Sequence, residues 1–503
     1  MTLFGKKKFG AFKFGPTTLT QPRYGLEVDW DGNFAFDGSN EGVNLQDISI
    51  ERGRQYTFSS DGESYESEET GRFSAALIDE ERRYDPYNEA SPLFGMLTGG
   101  KFFRVKIRTT SGGIYYLMTG ALDEPVSYSE RGMFMARLKG SDGWAFLRNQ
   151  KNEVTVPLKE NIYVDDAIRI VLDEAGWPRV WGDNLNLGVD QKSYFWVDAR
   201  SAAQVIHELA HNELGNVNVS ASGQMSFQSR LDLQGEVLII TDTDVIHVER
   251  MSPSDVIRNV IKVRSTPRTE AAVQTVWEIP LGSRLEVAPG ETIDDVFAEF
   301  TYGGESVPVK NPITPVSVTD FDATQNEDGS GSNYTADVSI SIYPYSTTAQ
   351  LSITNSGAST AWVYARVRGT PIIASDTVSF GHRDAASIKQ FGPRPFNLDI
   401  DQNVNVARQY KELLASILTQ SKDYLVVDLM PAPDVQFAAD LGQIVRARLD
   451  NYGIDRAYRL IRIKHKFLDV NGIVVNTRWW LEPFVRLFTG VQLPVQVPFQ
   501  LGA

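Results

Sequence analysis

The sequence predicts a mainly β, multidomain chain with an α/β part. Three observations predict it. Apolar and polar residues alternate with period two from Leu26 to about Asn149, and again beyond residue 280. Helix-period segments are few, and two of them fall close together between residues 151 and 250. Two hairpins, one starting at Gly100 and one at Gly442, resemble each other, which suggests two versions of one β-domain, one near each end. A length of 503 residues suits several domains, about three to five.

Composition narrows the function. Hydrophobic content of 42% allows real cores. No apolar run is long enough to span a bilayer, and the lysines of the amino terminus are not followed by the apolar segment of a secretory signal. The chain has no cysteine, which excludes a disulfide framework, thiol catalysis and cysteine zinc sites. A net charge of −15 argues against a nucleic-acid-binding surface as the main role, though not against a channel that DNA passes without sticking.

Residues 1–25 form the first unit. They are basic, and Phe-Gly recurs at Phe4, Phe9 and Phe14, with Phe12 between the last two. Glycine at this density opposes a helix. We read an extended arm whose phenylalanines dock on a neighbouring subunit. Residues 26–150 read as a β-domain. "LEVDW" and "NFAF" flank Asp31-Gly32, a hairpin signal, and the loop Glu81 to Gly95 should be ordered by Tyr84, Tyr87 and Phe94 packing down.

Residues 151–250 read as an α/β domain. "YVDDAIRIVLDEAG" is helical and stops at Gly176. "DARSAAQVIHELAHNELG" is a second helix, capped by Asp198 or Ser201 and ended by Gly215. Residues 251–279 return as a strand connection. Residues 280–372, rich in Thr, Ser, Val and Gly, read as a β-sandwich. Residues 373–503 begin with one helix, "NVARQYKELLASILTQS", continue as strands and end in a Pro-rich extended tail.

The internal echo matches Gly100 with Gly442, Arg104 with Arg446, and Tyr116 with Tyr458. Phe102, Phe103, Lys106 and Ile107 answer to Ile444, Val445, Arg448 and Leu449, residues of the same class.

One motif points to catalysis. "HELAH" places His207 and His211 four apart on a helix, with Glu208 beside them as a general base, the core of a zinc protease. A zinc site also needs a third protein ligand. Where one zincin class puts glycine and a third histidine, Gly215 comes one residue late and Val217 stands in the histidine position. The other histidines, His247, His382 and His465, show no ligand spacing. A plain amphipathic helix burying Ala202, Val205, Ile206, Leu209, Ala210 and Leu214 explains the segment. No other catalytic signature is present, and the expectation is no enzyme, no metal and no cofactor.

Several segments together resemble a family. "DISIERGRQYTF", "GRFSAALIDEERRYDPYNEASPLFGMLTGGKFFRVKI" and "YYLMTGALDEPVSY" look like the amino-terminal half of minor tail proteins of long-tailed bacteriophages. The helix ending in leucine-glycine, "NVIKVR", "VRGTPI", "YRLIRIKHKF" and "RWWLEPF" continue the likeness over most of residues 26–490. The resemblance implies a baseplate hub at the tail tip, with two related β-barrel-like domains per chain, here 26–150 and 373–503. It implies a homotrimer whose six barrels close the hexameric tail tube and line the DNA channel. Implied partners are distal tail and tube proteins, the tape-measure protein, other tail-tip or receptor-binding proteins, and DNA in passage. The implied location is the virion tail tip, after assembly in host cytoplasm. Arg104, Tyr116, Arg446 and Tyr458 would mark the hub hairpins. Two alternatives are a zinc hydrolase using His207, Glu208 and His211, and a carbohydrate-binding module with Trp362, Trp479 or Trp480 stacking on sugar.

Overall fold

The computed structural model describes residues 23–484, apart from 34, 37–40, 54–56, 59–64, 67–70, 109–112, 131, 149–152, 231–234, 252–256, 281, 402–403, 420–422 and 470–473. The Phe-Gly arm with Phe4, Phe9, Phe12 and Phe14, and the Pro-rich tail, lie outside the described residues.

The chain is mainly β and multidomain. Its centre is one 13-stranded sheet made of two halves. In the first half the strands run, side by side, Arg23–Val28, Phe102–Arg108, Ile114–Leu122, Met133–Ser141, Arg72–Ile78 and Leu45–Gly53. Val126–Glu130 adds a hairpin arm to Met133–Ser141. The period-two pattern has its expected result: Phe73, Ala75 and Leu77 point inward, as do Phe103, Val105 and Ile107. In the second half the order is Glu236–Thr241, Ile444–Leu449, Ile454–Asp469, Val474–Pro483, Tyr424–Leu429 and Val245–Met251. Leu45–Gly53 pairs with Ile454–Asp469, from Ser49 opposite Lys466 to Gly53 opposite Arg462, and this fuses the halves.

The strand Glu236–Thr241 and all but the last residue of Val245–Met251 fall inside the range 151–250 expected for the α/β domain, yet they belong to the second half-sheet. Its carboxy-terminal strands begin at Tyr424, well after 373. Alternation identifies a strand but not its partner, so a chain-continuous boundary misses strands borrowed across an insertion. Residues 378–418 instead form a small layer with Val260–Ser265. The strands Val378–Arg383, Val260–Ser265 and Pro395–Ile400 lie under the helix Val404–Leu418, which buries Ala407, Tyr410 and Leu414 against Ile261, Val263, Phe396 and Leu398.

The α/β part holds the helices Val164–Glu174 and Ala202–Asn212 between a two-stranded and a three-stranded sheet. The sandwich is as expected in kind. The long strand Ala361–Ala374 organises a six-stranded sheet, facing a three-stranded one of Thr292–Glu299, Thr348–Asn355 and Val338–Pro344. Arg268–Glu270 and Gln274–Glu278 pair with that long strand too, so the sandwich starts upstream of 280.

Three local expectations fail. Asp31-Gly32 makes a turn, with Asp29 accepting from the Gly32 and Asn33 amides, but the strand before it pairs with Phe102–Arg108 instead of forming a hairpin. In the Glu81 to Gly95 loop Tyr84 is buried, whereas Tyr87 is 88% exposed and Phe94 49% exposed; Leu93 takes the inward role. The helix Ala202–Asn212 starts at Ser201 without a side-chain cap, because Asp198 accepts instead from Ser346 and Thr347 of the sandwich. It ends through Leu214 at φ 55°, ahead of Gly215.

Gly53 has φ 120°, and a Cβ there would lie 2.3 Å from the Ile461 carbonyl oxygen and 2.4 Å from Arg462 Cα. Both are backbone of the other half, so neither gives way cheaply. Gly53→Ala should therefore destabilise the chain by about 2 kcal/mol or more, read as a lower urea midpoint. Gly95→Ala, whose Cβ meets nothing within 4 Å, isolates the positive-φ part of that cost.

Candidate functional site

The two half-sheets have the same strand order. Each strand of the first has a counterpart at the same place, in the same chain order, in the second. Phe102–Arg108 answers to Ile444–Leu449, and Ile114–Leu122 to Ile454–Asp469. Gly100 and Gly442, which open the matched segments, have φ 83° and 82°. One difference breaks the match: Arg23–Val28 runs antiparallel to its neighbour, whereas Glu236–Thr241 runs parallel.

Arg104 and Arg446 sit at the same point of their strands, and each reaches a glutamate on the adjoining edge strand. Arg104 bonds Glu27 at 2.5 Å, with Lys106 on the other oxygen at 2.6 Å; Arg446 bonds Glu236 at 3.1 Å and Asp455 at 2.6 Å. Burial pushes the Glu27 carboxyl up, but Lys106 and Arg104 outweigh it and hold the group below its ordinary range. Arg446 is held further toward its charged form by Asp455 and Glu236. Tyr116 and Tyr458 lie in the two hairpins but not at matching places. Tyr116 is opposite Lys106 and 40% exposed; Tyr458 is opposite Val445 and buried. The hairpins turn differently, since Arg108 pairs with Ile114 but Leu449 with Ile454, so equal sequence spacing gives unequal register.

Beside the joint of the halves lies a buried polar cluster. Arg52, on the strand that ends at Gly53, bonds Asp440 at 2.5 Å, and its other guanidinium nitrogen reaches the Val219 carbonyl at 3.4 Å. The second Asp440 oxygen accepts from the Ala221 amide at 2.7 Å. One ion pair thus ties both half-sheets to the α/β part. Asp142 accepts from the Gly71 and Trp144 amides, and burial pushes its carboxyl up to about 6 against the pull of those bonds and of Arg52. His465 bonds Thr477 at 2.9 Å; burial, then the charge of Arg52, pushes it down to about 3. Sequence reading missed Arg52, Asp440, Glu27 and Glu236. A lone charged residue in a strand or loop carries no sign of burial, although the glycine after Arg52 marks a close approach.

The HELAH helix spends its polar side chains on packing. His207 stacks on Trp144, with ring centroids 4.3 Å apart and planes at 28°. His211 lies edge-on to Phe396 at 6.4 Å, and burial lowers its pKa. Glu208 pairs with Arg200. The two histidines meet different neighbours, and no group of three His, Cys, Asp or Glu close enough to hold a metal occurs among the described residues. Glu213, at the carboxy end of this helix, is fully buried and pushed up to about 7 by burial. The sugar-stacking alternative loses two of its residues. Trp479 is wholly buried, and Arg462 lies over the Trp480 ring at 4.8 Å.

No protein-family model matches the chain, and no curated protein sequence matches it. Solved structures similar to it include a tail protein from Neisseria meningitidis MC58, 12% identical, covering 92% of this chain and 96% of that one with a TM-score of 0.48. They include the 43 kDa tail protein of prophage MuSo2 from Shewanella oneidensis, 10% identical, at 92% and 98% coverage and a TM-score of 0.46. A third is prophage tail protein gp18 from Listeria monocytogenes EGD-e, 7% identical, at 92% and 94% coverage and a TM-score of 0.41.

The buried pair His465 and Asp142 sets opposite pH dependences. His465 is depressed from 6.5 to about 3, so its contribution is present above pH 6.5 and is lost as pH falls toward 3, when the unfolded chain takes up a proton that the native one refuses. Asp142 is raised from 3.8 to about 6, so its contribution is present below 3.8 and is lost as pH rises through 6. Urea unfolding at pH 7 and pH 5 checks both. His465→Asn should lose less stability than wild type between pH 7 and 5, and Asp142→Asn should lose more.

Proposed function

We propose that the chain is a structural subunit of the hub at the tip of a phage or phage-derived tail. Three copies assemble, and their six half-sheets form a ring that matches the sixfold tail tube and surrounds the DNA channel. A threefold object meets a sixfold one only if each chain presents two equivalent units. The observation that carries this reading is the shared strand order of the two halves, with the Arg104–Glu27 and Arg446–Glu236 pairs at equivalent places. The sequence resemblance to minor tail proteins points the same way. A second support is the edges. Val245–Met251 is paired on one side only among the described residues, and its Ile246 is 61% exposed. An unpaired strand edge can pair with another chain, which is a liability in a free chain and an asset in a ring.

The subunit performs no catalysis. The net charge of −15 keeps DNA in transit rather than bound. The sandwich lies outside the ring, toward other tail-tip or receptor-binding proteins. The tube and tape-measure proteins are the axial partners, and the Phe-Gly arm reaches an adjacent subunit. The protein resides at the virion tail tip after assembly in host cytoplasm.

Native mass spectrometry of the purified chain, alone and with its tube protein, tests the reading in one spectrum. The expected result is a trimer without metal whose mass and assembly are unchanged in Glu208→Gln. Stoichiometric zinc that is lost in His207→Ala would overturn the account of the HELAH helix. A dimer, or a monomer that stays monomeric on the tube, would overturn the hub.

A further inference from the structure

A cavity of about 280 Å³ opens at the joint of the two half-sheets. One wall is apolar: Tyr115, Leu117, Phe437 and Ala439. Arg52 and Asp440 line the polar side. Arg52 Nε is buried with no hydrogen-bond partner among the described residues. At the rim, Ile114 is 51% exposed and Tyr116 40% exposed, both on the hairpin that bounds the opening.

The described chain begins beside this rim. Arg23 pairs with Arg108, and Arg108 pairs with Ile114. Tyr24 packs edge-on to Phe467 at 5.7 Å, and Phe437 meets Tyr115 at 6.2 Å, so the first strand starts among the aromatics around the cavity. From Arg23 the strand runs inward toward Val28, opposite Phe103. Arg23 is thus the outer end of that strand, level with the Ile114 hairpin. Twenty-two residues precede Arg23 in the sequence. At about 3.3 Å per residue they reach as far as ~70 Å, enough for a neighbouring copy.

Their chemistry fits the cavity. Phe4, Phe9, Phe12 and Phe14 are spaced by glycine and lysine, and the segment carries no acid. A phenyl ring suits the apolar wall and presents its face to the Arg52 guanidinium. A glycine beside it has no Cβ and lets the backbone approach closely, so its carbonyl can accept from a buried N–H. Lys13, between Phe12 and Phe14, is drawn to Asp440 and to a chain of net charge −15.

We propose that this cavity is a socket for a phenylalanine of the amino-terminal arm of a second copy of the chain, an arm-in-socket link between neighbours. It rests on the assembly proposed above. Each copy then gives an arm to one neighbour and receives one from the other, a head-to-tail link that closes into a ring.

The test is photo-crosslinking in the full chain, with benzoyl-phenylalanine at position 12 or 14 and an isotope-labelled copy mixed in. Cross-links joining light to heavy chains at peptides containing Tyr115 or Phe437 are expected. Phe12→Ser with Phe14→Ser should weaken self-association by about tenfold, the loss of one aromatic anchor, and leave the unfolding midpoint unchanged. Cross-links confined within one copy, or mapping elsewhere, overturn the socket. Trimers lacking these cross-links overturn the socket and leave the hub. The same cross-links in an assembly of another symmetry support the socket and overturn the hub.

Discussion

The pairing of Leu45–Gly53 with Ile454–Asp469 is the constraint on which the rest depends. It joins residues some four hundred positions apart, and it turns two half-sheets into one continuous sheet. The approach is so close that only glycine fits at its end, and the residue before that glycine carries a buried charge. A buried guanidinium left without its carboxylate costs about 3–5 kcal/mol, so Arg52 fixes where Asp440 must be. Asp440 in turn holds the Ala221 amide, and the α/β part is positioned by the same bond. Cores cross the joint too: Phe437, Phe467 and Val475 of the second half pack into the core of the first. The halves cannot separate without exposing both the charge and the apolar surface.

The duplication is one of topology and not of detail. Strand order survives in all six places, and so does the arginine–glutamate link to the edge strand. What changes is the direction of one edge strand. The first half receives its edge strand from the chain's beginning. The second receives Glu236–Thr241 as the chain leaves the α/β part, and then passes at once to Val245–Met251 on the opposite side of the half-sheet. Reversing a strand reverses its hydrogen-bonding pattern but keeps its side chains alternating between faces. Arg446 thus still finds a glutamate although Glu236 arrives from the other direction. An edge whose polarity differs offers a different pairing surface, so the two halves are equivalent in strand order without being interchangeable.

Much of the fold was legible from the residues. The fold class, the helices Val164–Glu174 and Ala202–Asn212 and the sandwich follow from periodicity and composition, and the echo of two hairpins from matched residues. Partner choice did not follow. Val237, Ile239 and Ile240 read as a strand in any context, and nothing local says that their partner lies two hundred residues ahead. The Tyr116–Tyr458 match failed for a related reason, since a shorter turn shifts the register of the return strand. At the joint, nothing in the sequence around Arg52 or Asp440 marks either charge as part of a buried cluster. Burial of a charge is a property of three segments meeting, and no window of one sequence contains all three.

The HELAH helix makes the same point from the opposite side. Its spacing is right for two ligands on one face, yet spacing along a helix fixes only where the Cβ atoms stand. The rings turn toward whatever packs there. Trp144 lies on the short helix that follows the first half-sheet and gives His207 a flat partner; Phe396, from the layer under Val404–Leu418, gives His211 an edge. A zinc ligand needs its nitrogen lone pair aimed at a common point and left accessible to the ion. Here each imidazole is used as an aromatic plate between the helix and a different neighbouring unit, and burial favours the neutral form of His211. The residues that look most chemical in the sequence therefore serve the same end as Arg52, which is to hold separate units in one fixed arrangement.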